Sequence, residues 1–128
     1  MIYVDTSVVL AQILAEDRKP PPSVWDSELI SSRLTEYETW VRVHALGLED
    51  GYGEPAQQLL GRIPLLELSP LVLTRALQPF PTRVRTLDAM HLASIEFLRS
   101  RRVEVQLATY DDRMREVART LGIELEAL

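Results

Sequence analysis

The chain contains no cysteine among its 128 residues, which excludes disulfides, thiolate metal sites and a cysteine nucleophile, and suits a reducing compartment. No apolar run approaches the roughly 20 residues of a membrane-spanning helix. Ile2-Tyr3-Val4 opens directly as a strand without a basic stretch before it, so an unexported, cytoplasmic protein with no membrane anchor is expected. Aromatic residues are only 6% of the chain, leaving no obvious stacking platform for nucleobases. The two histidines, His44 and His91, read as packed helix residues rather than ligands. Lysine is nearly missing too: of 14 basic residues, all but Lys19 are arginine.

What is present suits one ordinary domain spanning residues 1–128, with 46% hydrophobic residues for a core. The net charge of −5 opposes a protein that binds nucleic acid over its whole surface. Arg83, Arg85, Arg99, Arg101 and Arg102 nevertheless gather at the ends of one predicted helix. Their planar forks suit phosphate, and a solvated helix end accounts for them equally well.

Strand-like and helical stretches alternate along the chain. Met1 to Asp5 reads as a strand, with Thr6-Ser7 supplying hydroxyls where a helix over Val8 to Ala15 begins. Glu16-Asp17-Arg18-Lys19 and Pro20-Pro21-Pro22 stop that helix. A short helical turn opened by Ser23 and a strand over Leu29 to Ser32 follow. The next helix runs from Leu34 to about Leu48, with Leu34, Tyr37, Val41, Ala45 and Leu48 on one side. Asp50-Gly51-Tyr52-Gly53 reads as a turn, Glu54-Pro55 opens a helix to Arg62, and Leu65 to Leu68 is strand-like. Ser69-Pro70 caps a helix through Leu77, and Pro79-Phe80-Pro81 leads stiffly into a helix capped by Thr86, whose Leu87, Met90, Phe97 and Leu98 face inward. Val103 to Ala108 is a strand, Asp111 caps a helix over Asp112 to Leu121, Gly122 closes it, and Ile123 to Glu126 is an edge strand. Such alternation predicts an α/β fold with a mainly parallel sheet between helix layers.

Four carboxylates occupy comparable element ends. Asp5 and Asp111 each finish a strand and precede a helix, while Asp88 and Glu38 lie in early turns of helices able to pack over the same edge. In open α/β sheets that edge collects ligands. Each acid also has a plain structural reading: a first-turn residue favoured by the helix dipole for Asp88, and an ordinary exposed pair with Arg42 for Glu38. If the four converge, their mutual repulsion calls for raised pKa values or a neutralising divalent cation, and oxygen donors without cysteine select Mg²⁺ or Mn²⁺ over zinc.

Four segments, Val4-Asp5-Thr6-Ser7, Ser31 to Glu38, Arg85 to Ser94 and Ala108-Thr109-Tyr110-Asp111, resemble in order and spacing the PIN-domain ribonucleases, and within them the VapC toxins of bacterial toxin–antitoxin pairs. The resemblance spans essentially the whole chain. It implies a PIN-like three-layer α/β/α sandwich with roughly five strands, and an acidic quartet of Asp5, Glu38, Asp88 and Asp111 around Mg²⁺ or Mn²⁺. Glu38 stands where the family's serine–leucine–x–x–glutamate pattern puts the acid, with Arg42 following as in the family; neighbouring Glu36 and Asp112 compete with Glu38 and Asp111. Thr6, Ser7 and Thr109 would orient carboxylates or waters. The implied activity is metal-assisted hydrolysis of RNA phosphodiesters, with a cognate VapB-like antitoxin and a homodimer as partners. The chain departs from the family pattern between Leu14 and Leu29, with its three prolines, which bears on the antitoxin-binding groove and leaves the quartet alone. A catalytically silent PIN-like module is the competing reading. An aspartyl-phosphate phosphatase needs a carboxylate two residues after Asp5, where Ser7 stands.

Overall fold

Residues 2–4 have no choice but the middle of the sheet: Ile2, Tyr3 and Val4 are all buried, as a strand covered on both faces requires. The computed structural model describes residues 1–15 and 17–128. In it β1 (Ile2–Val4) is flanked by β2 (Leu29–Ser32) and β4 (Gln106–Ala108), with β3 (Leu65–Leu66) and β5 (Glu124–Leu125) outside them. The order is β3-β2-β1-β4-β5, and all four pairings are parallel. Ile2 pairs with Leu29 on one side and Gln106 on the other.

Side-chain alternation divides the core into two. Ile2 and Val4 point into a cluster with Val8, Val9, Val24 and Leu60, under α1 (Thr6–Leu14), α2 (Pro22–Trp25) and α4 (Glu49–Gly61). Tyr3 points the opposite way, to Leu92, Ile95 and Val117 of α6 (Thr86–Ser100) and α7 (Asp112–Thr120). Two further helices, α3 (Arg33–Ala45) and α5 (Pro70–Leu77), pack against α1 and α6 respectively. The expected three-layer α/β/α sandwich is therefore the observed fold, and its sheet is parallel throughout the described residues. No helix among them is long and apolar enough to cross a membrane.

Caps explain most of the boundaries. Ser32 accepts the Leu34 N–H at the start of α3, and Ser69 that of Val72 in α5. Gly122, at φ 70°, closes α7: Ile123 N–H reaches Ala118 O and Gly122 N–H reaches Arg119 O, a Schellman motif whose C′ residue is best glycine.

Several expectations are corrected. The first helix starts at Thr6 with Asp5 itself as its cap, so the hydroxyls of Thr6 and Ser7 are free for other work. At α6 the N-cap position belongs to Arg85, without a side-chain capping bond, and Thr86 is the first helical residue. Pro22 begins α2, ahead of Ser23. The expected turn at Asp50 to Gly53 is helical, and Pro55 lies inside α4. Packing overrides propensity there: Ala56 and Leu60 are buried, and a side chain at Gly53 would meet the Trp40 ring. The strands after Ile63 and Arg102 are shorter than their alternation suggests. Glu16, first of the four charged residues before the prolines, lies outside the described residues.

The largest correction concerns which faces are inside. On α3 the buried residues are Leu34, Thr35, Thr39 and Val43, while Tyr37 and Val41 are exposed. Thr35 can be buried because its hydroxyl is hydrogen-bonded to Ser31 at 2.8 Å. On α6 the inner face is Ala89, His91, Leu92, Ser94, Ile95 and Leu98, and Leu87 is turned out to solvent.

Candidate active site

The sheet reverses direction of growth at β1: β2 and β3 are added on one side, then β4 and β5 on the other. The crevice above the carboxyl ends of β1 and β4 is thus the switch point at which open α/β sheets bind ligands. Asp5 follows β1 directly, and Asp111 stands three residues after β4.

Asp5 is buried and held from three directions. Its Oδ1 accepts the Ser7 hydroxyl at 2.6 Å and the Val8 N–H at 3.2 Å, and its Oδ2 accepts the Thr109 hydroxyl. Burial pushes its pKa up, against the pull of His91 and of these three donors. Ser7 ties the two strand ends together, since its Oγ also accepts the Tyr110 N–H at 2.9 Å. Thr109 does the same by donating to Asp5 Oδ2, and it also accepts the Asp111 N–H at 3.0 Å. Asp111 caps α7 as expected, its Oδ1 accepting from Arg113 and Met114.

Asp88 and Asp111 share one guanidinium. Arg85 reaches Asp88 Oδ2 through Nε at 3.2 Å and Asp111 Oδ2 through Nη2 at 3.0 Å. The Asp88 pKa is raised, first by desolvation and then by the charge of Asp111, against the pull of Arg85.

Glu38 does not pair with Arg42, as α3 alone would suggest. Its Oε1 accepts the Thr6 hydroxyl at 2.8 Å and a hydrogen bond from His91 Nε2 at 2.7 Å. Burial is the largest influence on its pKa and acts upward, but the His91 hydrogen bond and charge and the Thr6 hydroxyl together bring it below the ordinary 4.5. Behind it, His91 Nδ1 lies 2.7 Å from the Tyr3 hydroxyl, whose pKa burial drives far up. His91 is therefore no idle packed residue: it links the sheet's central strand to an acid of the site. Sequence reasoning passed over it because a lone histidine one turn after Asp88 has no distinguishing pattern. Of the competing acids, Glu36 is engaged by Arg33 at 3.2 Å, while Asp112 opens α7.

The titrations of these acids have opposite signs in stability. Glu38, with its folded pKa lowered, stabilises the fold above its unfolded value of 4.5, and that contribution disappears as pH falls through the folded pKa. Asp88, with its folded pKa raised above 3.8, contributes stability below 3.8 that is lost as pH rises through the folded value. In metal-free melting experiments Glu38→Gln is accordingly less stable than wild type at pH 7, with the gap closing below pH 4.5. Asp88→Asn is more stable than wild type at pH 7, and that advantage vanishes below pH 3.8. Parallel pH profiles for both variants and wild type would refute these assignments.

Two cavities flank the acids. One, of about 640 Å³, is bordered by Asp88 with Arg83, Arg85 and Arg113. The other, of about 520 Å³, is bordered by Glu38 and Asp111 with Arg18 and Arg42. Of the arginines singled out in the sequence, Arg83 and Arg85 lie here. Arg99 instead donates to the Leu121 carbonyl at the end of α7, and Arg101 stacks over Phe97.

The donor set suits a hard divalent cation in kind: carboxylate oxygens and hydroxyls, with no thiolate. No three histidine or carboxylate side chains among the described residues form a ready cage, and the cation joining Asp88 to Asp111 is Arg85. Because the Arg85 side chain is 64% exposed, it can swing away at little cost and leave the two carboxylates to a metal.

Comparisons with known proteins agree on the family. The PIN domain model matches residues 2–120. Ribonuclease VapC35 of Mycobacterium tuberculosis is 32% identical over 134 residues, covering 99% of this chain and 96% of that protein. Ribonuclease VapC46 of the same organism is 42% identical over 72 residues, 56% of this chain and 53% of that one. Among solved structures, a toxin-antitoxin complex from Klebsiella pneumoniae superposes with a TM-score of 0.62 at 17% identity, covering 87% of each chain. That last likeness is one of fold.

Proposed function

The chain belongs to the PIN domain family, among its VapC-type members, and from that premise we propose that it is a divalent-metal-dependent endoribonuclease, the toxin of a toxin–antitoxin pair. What supports the reading is that Asp5 and Asp111 stand just past the adjacent strands β1 and β4 at the switch point, that Arg85 joins Asp111 to Asp88, and that arginine-bordered cavities lie beside Asp88 and beside Glu38. Relatives named ribonucleases, similar over nearly the whole chain, support RNA as the substrate class, and a structural neighbour titled a toxin-antitoxin complex is consistent with an antitoxin partner.

Asp5, Asp88 and Asp111, with Glu38 beside them, would hold Mg²⁺ or Mn²⁺, which would supply Lewis acidity toward a phosphodiester and lower the pKa of bound water. The chain's own groups do the rest. Ser7 and Thr109 fix the rotamer of Asp5, so that its charge is delivered in one direction. Thr6 and His91 hold Glu38 Oε1, leaving Oε2 to orient water. Arg83, Arg85 and Arg113 line the approach with cations for the phosphates of the incoming strand. The partners are an antitoxin and a second copy of the chain in a cytoplasmic homodimer. An apolar face on α5, where Leu71 is 60% and Leu77 88% exposed, supports the self-association.

The test is incubation of tRNA and rRNA fragments with the purified protein and Mg²⁺ or Mn²⁺. Wild type cuts at defined positions, and Asp88→Asn, which removes a carboxylate proposed to hold the metal, retains about 1% of that rate or less, at least what the loss of an outer partner of a metal site costs. A wild type that cuts none of them under either ion returns the protein to the silent-module reading.

A further inference from the structure

The cavity beside Glu38 and Asp111 contains more than the hydrolytic reaction requires. Tyr37 and Val41 of α3 and Leu87 of α6 border it, and they are 67%, 47% and 44% exposed. Side chains of that size are normally turned inward, and the helical pattern of α3 alone would bury the first two. The fold instead buries Thr35 and Thr39 and aims the apolar stripe at the cavity. Tyr110 forms part of the same wall, with the Arg18 guanidinium 5.1 Å from its ring centre. Arg42 also borders the cavity and forms no ion pair among the described residues, Glu38 having been taken by His91 and Thr6. An exposed aromatic face, an aliphatic floor and cations within one cleft match a nucleobase with its adjoining phosphates, and about 520 Å³ lies in the size range of small-ligand clefts.

Resting on the ribonuclease reading, we infer that this cavity is a nucleobase subsite. The base next to the scissile phosphodiester of single-stranded RNA stacks on Tyr37 against Val41 and Leu87, while Arg42 and Arg18 meet the neighbouring phosphates. Charge favours RNA as the occupant. The cavity on the far side of Asp88 is bordered by Arg83, Arg85 and Arg113, so cations stand on both sides of the acids, as a polyphosphate strand crossing them requires. Tyr37 is then a specificity residue that binds substrate without taking part in hydrolysis. The low aromatic content suggests that no stacking platform exists; one exposed ring at the right place is sufficient for one base.

The experiment measures steady-state cleavage of a short RNA by wild type, Tyr37→Ala, Tyr37→Leu and Tyr37→Phe, on substrates in which each base flanking the cut is replaced in turn by an abasic ribose. Stacking of one base predicts that Tyr37→Ala and Tyr37→Leu raise KM by about 5- to 100-fold, while Tyr37→Phe stays near wild type. Their kcat stays within about threefold of wild type, as loss of uniform binding requires. One abasic position raises KM for wild type by a similar factor and leaves Tyr37→Ala unaffected. Unchanged KM in Tyr37→Ala, or independent effects of the variant and of every abasic position, overturns the subsite alone and assigns the face to a protein partner. A wild type that cuts no RNA overturns the ribonuclease reading and the subsite together.

Discussion

Asp5→Asn is expected to give a folded protein whose RNA cleavage falls on the order of 10³-fold or more, beyond the 10- to 100-fold typical of losing an outer partner of a metal site. Excess EDTA added to wild type brings activity to the same floor. The substitution keeps the shape of the side chain and its place in the network: an amide oxygen still accepts one of the present hydrogen bonds, and the hydroxyls of Ser7 and Thr109 can rotate to accept from the amide nitrogen. What it removes is the charge that the buried position holds at the carboxyl end of β1. Because burial raises the folded pKa of Asp5, the protonated form is favoured on folding. Its stabilising contribution is present below the unfolded value of 3.8 and is lost as pH rises through the folded one. At pH 7, above the unfolded value, an acid at this buried position is therefore a burden on the metal-free fold, and the asparagine variant melts at the same or a higher temperature. Each kcal/mol relieved raises Tm by roughly 3 to 5 °C in a chain of this size. Loss of activity with Tm preserved or raised identifies Asp5 as a group kept for function at the expense of stability. Full activity in Asp5→Asn would remove it from the site, and a steep fall in Tm would make its role structural.

His91→Leu carries the second large effect, this time on both stability and catalysis. The imidazole is 2% exposed and hydrogen-bonded at 2.7 Å to Tyr3 and at 2.7 Å to Glu38, and its ring stands at 79° to that of Tyr3. Leucine fills most of the space but takes both partners away. The Tyr3 hydroxyl loses that bond in the interior, and Glu38 loses its cationic or donor neighbour while remaining half-buried. Breaking a buried pair by removing one partner costs about 3 to 5 kcal/mol, which urea unfolding at pH 7 will show. Adding Tyr3→Phe to His91→Leu recovers part of that loss, because a hydrogen bond deleted at both ends leaves no stranded group. Cleavage falls about 10- to 100-fold as Glu38 loses its orientation. A destabilisation below about 1 kcal/mol, no more than an average point substitution causes, would show the chain from Tyr3 to Glu38 to be incidental.

The sheet and the acids at its strand ends were legible in the sequence because their signals are local. An apolar run followed by Asp5, and Asp111 with the cap position after it, announce themselves within a few residues. The rotation of α3 and α6 was not legible, since it depends on partners far along the chain. Thr35 counts as polar until Ser31 satisfies it, and Ser94 until it donates to the Met90 carbonyl at 2.8 Å. The first turn of α4 was hidden for the opposite reason. Gly51 and Gly53 read as a turn and Pro55 as a helix start, but an apolar face including Ala56 and Leu60 extends the helix back to Glu49 once α4 has a core to cover. Arg85 and His91 were named for other reasons, as a helix-end cation and a packed residue, because the carboxylates each serves lie elsewhere in the sequence, at Asp111 and Glu38.

The central position of β1 also sets an order of events during synthesis. Asp5 is translated well before Thr109, which holds it from 104 residues later, and the strand that pairs with β1 on that side, β4, emerges just before Thr109. Contacts of such separation are slow to form, and domains fold as units while the chain emerges from its N-terminus. A ribosome carrying this chain therefore presents no assembled acidic site until β4 and α7 have cleared the exit. On the ribonuclease reading, the nascent chain turns no complete site toward its own message before those elements have emerged.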